Sequence, residues 1–166
     1  PPTPGQGARR VWSDSRGRLW VSEWNAGALA RYDPASGEWQ EWRLPGDRPQ
    51  AYAVFVDDRD IVWLSDFAAN TIVRFDPRSE SFESVGLPNP NGSVRQLHGR
   101  PGEVWGAESS ADTLVVVTGG VPPCPLVRHQ RQGRADPPED LAPLVGDGGP
   151  RRPRLGGLLN HYYRAA

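Results

Sequence analysis

The chain of 166 residues contains no lysine and no methionine, and Cys124 is its single cysteine. One cysteine excludes an internal disulfide and a metal site built from several thiolates. No apolar run reaches the length of a membrane span, and no signal peptide is visible. A net charge of −1 provides no general attraction to nucleic acid. We therefore expect a soluble protein with neither a membrane nor a nucleic-acid partner. Its compartment, cytoplasmic or exported, stays open because the chain begins at Pro1 without a methionine.

The sequence repeats itself with a period of 43 residues. Residues 18–34 and 61–77 share, in the same order, a tryptophan, an acidic residue three positions later, an arginine and an Asp-Pro pair. A partial third copy spans 103–117, shifted by 42 residues. This period is typical of β-propeller blades and of helical arrays. The aligned residues are Trp20, Trp63 and Trp105, then Glu23, Asp66 and Glu108, then Arg31 and Arg74, and finally Asp33-Pro34 and Asp76-Pro77.

The periodicity inside each repeat favours strands over helices. Leu19 and Val21 alternate with other residues over 18–23, and glycine and proline interrupt the pattern where turns are needed. Four short antiparallel strands in each unit describe a propeller blade. We predict strands at 8–14, 18–23, 28–32 and 38–44, then at 51–57, 61–66, 71–75 and 81–87, and finally at 93–98, 103–108 and 113–117.

The predicted fold class is therefore all-β, a fragment of a β-propeller. Its units are 6–46, 47–90 and 91–117, or about 2.75 four-stranded blades, because the third unit offers no fourth strand. A single blade cannot bury both faces of its sheet, and propellers usually need at least four blades. We expect the missing blades of a longer parent chain to be the partners of this one.

The composition changes near Val117. All seven tryptophans lie before it, whereas residues 118–166 are dominated by proline, glycine and arginine and continue no repeat. Such a segment buries too little apolar area to offset the entropy lost on ordering. We predict a disordered, low-complexity tail over 118–166. Two origins stay open for it, a natural tail or the out-of-frame translation of GC-rich DNA.

The repeat units resemble those of the virginiamycin B lyase, or streptogramin lyase, family. The resemblance is carried by Gly17–Glu23, by Asn70–Pro77 and by the closing Leu87-Pro88, and it covers residues 1–117. It implies a seven-bladed ring, of which this chain would supply the C-terminal blades. It also implies a magnesium-dependent carbon–oxygen lyase that opens the ester of a cyclic depsipeptide antibiotic by β-elimination and so inactivates it.

β-Elimination needs a base for the proton α to a carbonyl and a cation for the developing negative charge. The resemblance implies that base and metal lie in the last blade, where this chain has His98 and Glu108. The matching segments depart from the family pattern, because Gln50 follows Pro49 where the family has histidine, and 91–96 contains no Glu-Pro-His. We expect the isolated chain to be inactive. The alternative function is a non-catalytic propeller of the NHL or gluconolactonase-like kind, which binds a small ligand or a protein.

The most regular polar feature is the acidic residue that follows each blade tryptophan, namely Glu23, Asp66 and Glu108. Equivalent positions of successive blades lie on one circle around a propeller axis, where three carboxylates could hold a hard cation through oxygen. The resemblance implies that this cation is magnesium. Alternatively, each carboxylate caps a turn or pairs with an arginine of its own blade. Both interpretations stay open.

Arg10 and Arg95 occupy matched positions in the predicted inner strands of the first and third units, beside Tyr52 in the second. They predict a cationic floor for a small ligand near the central channel, with hydrogen bonding between blades as the alternative. His98 is the one histidine within the repeats, and it is the candidate general base or metal ligand. The blade tryptophans Trp20, Trp63 and Trp105 are assigned to packing.

Overall fold

The computed structural model describes residues 2–118 and the strand at 127–131, and all of them belong to one compact unit, Pro1–Gly133. These residues form three four-stranded antiparallel sheets and no helix. Sheet A contains β1 (Ala8–Ser13), β2 (Leu19–Glu23), β3 (Ala28–Asp33) and β4 (Glu38–Arg43). Sheet B contains β5 (Ala51–Val56), β6 (Val62–Asp66), β7 (Thr71–Asp76) and β8 (Ser81–Gly86). Sheet C contains β9 (Val94–Arg100), β10 (Glu103–Glu108), β11 (Thr113–Thr118) and β12 (Val127–Arg131).

Each sheet is a meander whose strands pair in chain order. The first strands of the sheets, β1, β5 and β9, lie side by side and form the inner strands of three successive blades. The prediction of antiparallel propeller blades is confirmed. The three described sheets do not close a ring.

Sheet C has a fourth strand that the repeat pattern did not predict. β12 pairs antiparallel with β11, from Val127 opposite Val117 to Arg131 opposite Thr113. Its residues match no position of the repeat, so the pairing is visible only in the structure. Apart from this strand and Thr118, the predicted tail at 118–166 lies outside the described residues.

The first three strands of sheet B are largely buried on both faces and supply most of the core. Stacked blades bury the two faces of a sheet against their neighbours, which one blade alone cannot do. One cluster joins sheets A and B and includes Trp20, Leu29, Leu64 and Phe75. A second cluster joins sheets B and C and includes Phe55, Trp63, Leu97 and Val115.

An aspartate organises the turn after the inner strand in the first two blades. Asp14 accepts hydrogen bonds from the backbone of its own turn and, through Oδ2, from Trp20 Nε1 at 3.0 Å and Arg18 Nε at 2.7 Å. Asp57 makes the equivalent turn and accepts from Trp63 Nε1 at 3.0 Å. We call this end of the blades, formed by turns 14–18 and 57–61, the aspartate end.

Candidate functional site

The inner strand of each sheet is irregular near its beginning, at the end opposite the aspartate end. Register shifts occur between Ala8 and Val11 of β1, between Ala51 and Val54 of β5, and in the part of β9 that faces the end of β10. Such bulges re-aim side chains and are common next to binding sites. The residues inside the irregular segments are Arg9 and Arg10, Tyr52 and Ala53, and Arg95 and Gln96.

A serine hydroxyl holds each of the first two bulges against the next blade. Ser22 Oγ accepts from the backbone N–H of Arg10 at 3.1 Å and donates to the carbonyl oxygen of Tyr52 at 2.5 Å. Ser65 Oγ makes the equivalent pair of bonds. It accepts from the backbone N–H of Ala53 at 2.9 Å and donates to the carbonyl oxygen of Val94 at 2.7 Å. Alanine occupies the equivalent position, Ala107, in the third sheet. The hydroxyls therefore fix the relative positions of neighbouring inner strands.

Side chains from all three sheets converge on Tyr52. The guanidinium carbon of Arg10 lies 5.7 Å from the centre of the Tyr52 ring, and that of Arg95 lies 5.9 Å from it. Phe67 stacks on Tyr52 with ring centres 4.9 Å apart, and Trp24 meets Tyr52 edge-on at 5.7 Å. We call Trp24, Tyr52 and Phe67 the aromatic platform.

Arg9 brings a third guanidinium group to the same place, 5.5 Å from the Trp24 ring centre. Cation–π contacts of this kind contribute about 0.5–1 kcal/mol at exposed sites. Within the described residues, Arg9, Arg10 and Arg95 form no ion pair with a carboxylate. Their positive charges are therefore balanced only by the faces of aromatic rings.

The structure brings together Arg10, Tyr52 and Arg95, the residues that the sequence nominated as ligand contacts, and their role in binding stays a prediction. Register shows that Arg9, rather than Arg10, is the repeat equivalent of Tyr52 and Arg95. Phe67 was missed in the sequence. An aromatic residue directly after the acidic position, in both Trp24 and Phe67, was the signal that pointed to it.

A groove of about 350 Å³ opens beside the platform. Trp24 belongs to both, and the other walls include Arg43, Arg48, Pro49 and Gln50. Two loops approach each other closely at its wall, since a Cβ atom added at Gly27 would lie 2.3 Å from the Pro49 carbonyl oxygen. Ligand pockets typically enclose about 300–1,000 Å³. The groove is thus large enough for part of a small molecule.

The three acidic repeat positions are all buried, yet their surroundings differ. Asp66 Oδ1 accepts hydrogen bonds from backbone N–H groups at 2.9 to 3.3 Å, so this residue caps a turn. Glu108 Oε2 accepts from Thr113 Oγ1 at 2.7 Å and from Asn89 Nδ2 at 2.9 Å, whereas its Oε1 has no partner. The shorter aspartate thus reaches backbone groups, and the longer glutamate reaches side chains instead.

Glu23 is fully buried, and neither of its carboxylate oxygens has a hydrogen-bond partner among the residues that the structure describes. Burial and the nearby Glu41 carboxylate raise the pKa of Glu23 from 4.5 to about 7. A large share of this carboxyl is therefore protonated at neutral pH. Protonation of Glu23 avoids the energetic cost of an unpaired buried carboxylate.

The predicted magnesium set is not assembled by the residues that the structure describes. Among them, no three histidine, cysteine, aspartate or glutamate side chains are close enough to hold a metal ion. Glu23, Asp66 and Glu108 sit at equivalent places in three sheets, and each is enclosed by its own surroundings. They do not fit a shared magnesium site, and magnesium binding stays a proposal that needs ligands from elsewhere.

The predicted catalytic pair is also apart. In the β9–β10 ladder, His98 lies opposite Trp105 and Glu108 lies opposite Val94. Three residues along β10 separate the two positions, which corresponds to about 10 Å. His98 is exposed, with its ring centre 5.9 Å from that of Trp12, while Glu108 is buried. The two side chains therefore occupy separate places in sheet C, and their catalytic role stays a prediction.

Neither the protein-family models nor the curated proteins include a match to this chain. Solved structures do match. Virginiamycin B lyase from Staphylococcus aureus is 20% identical over 75% of this chain and 41% of its own, with a TM-score of 0.67. A catalytically inactive form of that lyase, solved with quinupristin, is 18% identical over 81% of this chain and 44% of its own, with a TM-score of 0.71. An extracellular domain assigned to a one-component system of Bacteroides thetaiotaomicron is 15% identical over 80% of this chain and 17% of its own, with a TM-score of 0.61.

These likenesses establish a β-propeller fold, which is similar to that of virginiamycin B lyase. The chain spans less than half the length of the lyases that it matches. At these identities the chemistry has to be argued from this chain's own residues. The described part of the chain contains no helix that could cross a membrane.

Proposed function

We propose that this chain supplies ligand-binding blades of a virginiamycin B lyase-like β-propeller, and that it binds a small molecule beside its inner strands. The observation that carries the proposal is the convergence of Arg10, Tyr52 and Arg95 from three different sheets. Convergent polar groups beside an apolar surface are the usual make-up of a small-molecule site. Quinupristin in one of the similar lyase structures supports a small molecule as the class of ligand.

Binding is favoured over catalysis by the positions of the candidate catalytic groups. His98 and Glu108 occupy separate places on sheet C, and one oxygen of Glu108 already accepts two hydrogen bonds. A general base must come within hydrogen-bond reach of the proton that it removes. Among the described residues, no other acid or base lies beside the aromatic platform with an atom available to remove a proton from a ligand.

The second candidate function is a magnesium-dependent carbon–oxygen lyase that opens the ester of a cyclic depsipeptide. It is supported by the fold shared with virginiamycin B lyase. For this chain, the base and the metal ligands would have to come from residues other than those in the described blades. We therefore expect such activity only in a longer protein that includes this chain.

The two candidates are separated by one titration. We expect quinupristin to change the tryptophan fluorescence of this chain because Trp24 lies in the platform, without opening of the depsipeptide ring with or without magnesium. Tyr52→Ala is expected to weaken binding by about 10-fold, as loss of a central aromatic contact commonly does. The matched control is Tyr32→Ala, a half-buried tyrosine next to the aspartate end.

Equal weakening by both tyrosine substitutions would contradict the site. Magnesium-dependent ring opening by this chain alone, detected as a new linear product by mass spectrometry, would instead establish the second candidate. No fluorescence change at any quinupristin concentration would rule out a streptogramin as the ligand.

A further inference from the structure

The end of the blades opposite the aspartate end carries a concentration of positive charge, although the net charge of the chain is −1. We call this end the arginine end, after its exposed residues Arg9, Arg10, Arg43, Arg48 and Arg95. The acidic side chains described at the same end are either buried or belong to outer strands and loops. Glu23, Asp66 and Glu108 are the buried ones, and Glu41, Asp47 and Asp112 are the others.

Three of these arginines lie on the aromatic platform, and none of the carboxylates in the described blades forms an ion pair with them. Arg10 and Arg95 both approach the ring of Tyr52, so two like charges share one aromatic neighbour. The two guanidinium carbons lie 5.7 and 5.9 Å from the same ring centre, so an anionic group bound beside that ring would be attracted by both positive charges.

We propose, resting on the function proposed above, that the ligand of the arginine end is an organic anion attached to a flat apolar ring. The ring packs against the aromatic platform, and the anionic group accepts hydrogen bonds from Arg10 and Arg95. A planar guanidinium offers paired donors that match a carboxylate, a sulfate or a phosphate. These groups share one chemistry, and the probes below distinguish them.

The platform has the geometry that a flat ring requires. Tyr52 and Phe67 are nearly parallel, with an angle of 18° between their planes, and both are half-buried. Trp24 stands edge-on to both rings, at 5.7 Å from Tyr52 and 5.3 Å from Phe67. The side chains are thus held by one another in advance, which reduces the entropy lost when a ligand binds.

The groove extends the same site in the direction of two more arginines. Arg43 is tied to the loop, because its Nη2 donates to the carbonyl oxygen of Asp47. Arg48 is almost fully exposed and only 3.7 Å from the equally exposed Asp47, a pair of a kind that contributes little in water. Arg48 is therefore free to contact a second polar group of a ligand whose ring lies beyond Trp24.

The proposal is tested by calorimetric titration of the full chain with 2-naphthoate, with neutral 2-naphthol and with inorganic phosphate. We expect 2-naphthoate to bind about 10-fold more tightly than either of the other two, since it alone combines ring and charge. Naphthyl sulfate and naphthyl phosphate then identify the preferred anionic group. Because the charge interaction is exposed, added salt should weaken naphthoate binding.

Substitutions locate the site. The double substitution Arg10→Gln and Arg95→Gln should weaken 2-naphthoate binding about 10-fold and leave 2-naphthol binding unchanged. The matched control is Arg78→Gln, which removes one exposed arginine near the aspartate end and should change neither. All these arginines are exposed or half-exposed, so circular dichroism is expected to show the same β-structure in each variant.

Each contrary result has a distinct meaning. Equal affinities for 2-naphthoate and 2-naphthol would overturn the anionic ligand and leave the proposed small-molecule site standing. If Arg78→Gln weakened 2-naphthoate binding equally, the location at Arg10 and Arg95 would be overturned, since the overall charge of the chain would then account for the affinity. Failure of every naphthyl probe and of quinupristin to bind would overturn both this inference and the proposed function.

Discussion

The two ends of the blades differ in how their charged side chains are paired. At the aspartate end, the first two repeats use the same residues in the same contacts, with Asp14 bound to Trp20 and Asp57 bound to Trp63. At the arginine end, equivalent positions hold different residues, and the charges of Arg9, Arg10 and Arg95 find no carboxylate within the described blades. Identity between repeats therefore marks what holds each blade together, and divergence marks the candidate site.

The polar groups of the aspartate end are satisfied internally. Burial alone would raise the pKa of Asp14, but hydrogen bonds from Trp20, Arg18 and Arg16 outweigh it and lower the pKa below its ordinary value of 3.8. The carboxylate is therefore the favoured form in the folded state. Its contribution to stability is present above the ordinary pKa and is lost as the pH falls through the lowered one.

Removing the aspartate of a turn should cause the largest loss. Asp57→Ala leaves Trp63 Nε1 and two backbone N–H groups of the turn without their acceptor. Since an abandoned buried donor costs about 1–3 kcal/mol, we expect the free energy of unfolding to fall by about 2–3 kcal/mol. Urea denaturation followed by circular dichroism measures it. Asp58→Ala, in the same turn but exposed, is the control and should change stability by no more than about 0.5 kcal/mol.

The serine that joins two blades should come next. Ser65→Ala removes an acceptor for the Ala53 N–H and a donor to the Val94 carbonyl, both buried between sheets B and C. We expect a loss of about 1–2 kcal/mol in the same denaturation experiment. Ser84→Ala, on the exposed outer strand of sheet B, is the matched control. Equal stability of the two variants would show that the hydroxyl does not hold the inner strands together.

The repeats were sufficient to predict the blades because a period of 43 residues, strand alternation and turn residues all indicate the same architecture. The meeting of Tyr52 and Arg95 follows from their equivalent places in successive inner strands, whereas Arg10 reaches Tyr52 from the position next to the true equivalent, Arg9. β12 was not predictable, because its residues carry no repeat signal and its antiparallel pairing with β11 is seen only in the structure. Antiparallel pairing of that kind depends on an available strand edge, which the local sequence does not reveal.

The acidic positions show a different limit. Glu23, Asp66 and Glu108 are indistinguishable in a repeat alignment, yet one is unpartnered, one caps a turn and one binds neighbouring side chains. Side-chain length decides which donors each carboxylate can reach once the backbone is placed. Sequence patterns assign these residues to a common position and do not determine their partners.

Glu23 provides a test at the arginine end that depends on pH. Its folded-state pKa of about 7 lies above its ordinary value of 4.5, so the folded chain holds a proton that the unfolded chain releases between these values. Stability from this group is full below pH 4.5, falls as the pH rises towards 7 and is constant above it. The slope should approach, at most, about 1.4 kcal/mol per pH unit.

Glu23→Gln keeps the shape of the side chain and removes the proton equilibrium. We expect this variant to lose the slope between pH 4.5 and 7 and to be more stable than the parent at pH 8, where the parent carboxyl is charged. Glu80→Gln, in an exposed turn, is the control and should keep the slope of the parent chain. Stability that falls with pH equally in all three proteins would assign the effect to another group.

The smallest stability effect is expected from the arginines of the candidate site, and it decides whether the two ends really differ. Arg18→Gln removes an ion pair of 2.7 Å with the buried Asp14 carboxylate and should cost about 1 kcal/mol or more. Arg95→Gln loses only cation–π contacts and also relieves repulsion from Arg10, so the two effects should leave stability within about 0.5 kcal/mol of the parent. Thermal denaturation of the two variants side by side, at low and at high salt, measures the difference.

If Arg95→Gln destabilised the chain as much as Arg18→Gln does, Arg95 would be a structural residue and the arginine end would be held together as the aspartate end is. If Arg95→Gln left stability unchanged while ligand binding was lost, the Arg95 charge would serve ligand recognition. A side chain that contributes nothing to folding and is needed for binding acts through its contact with the ligand.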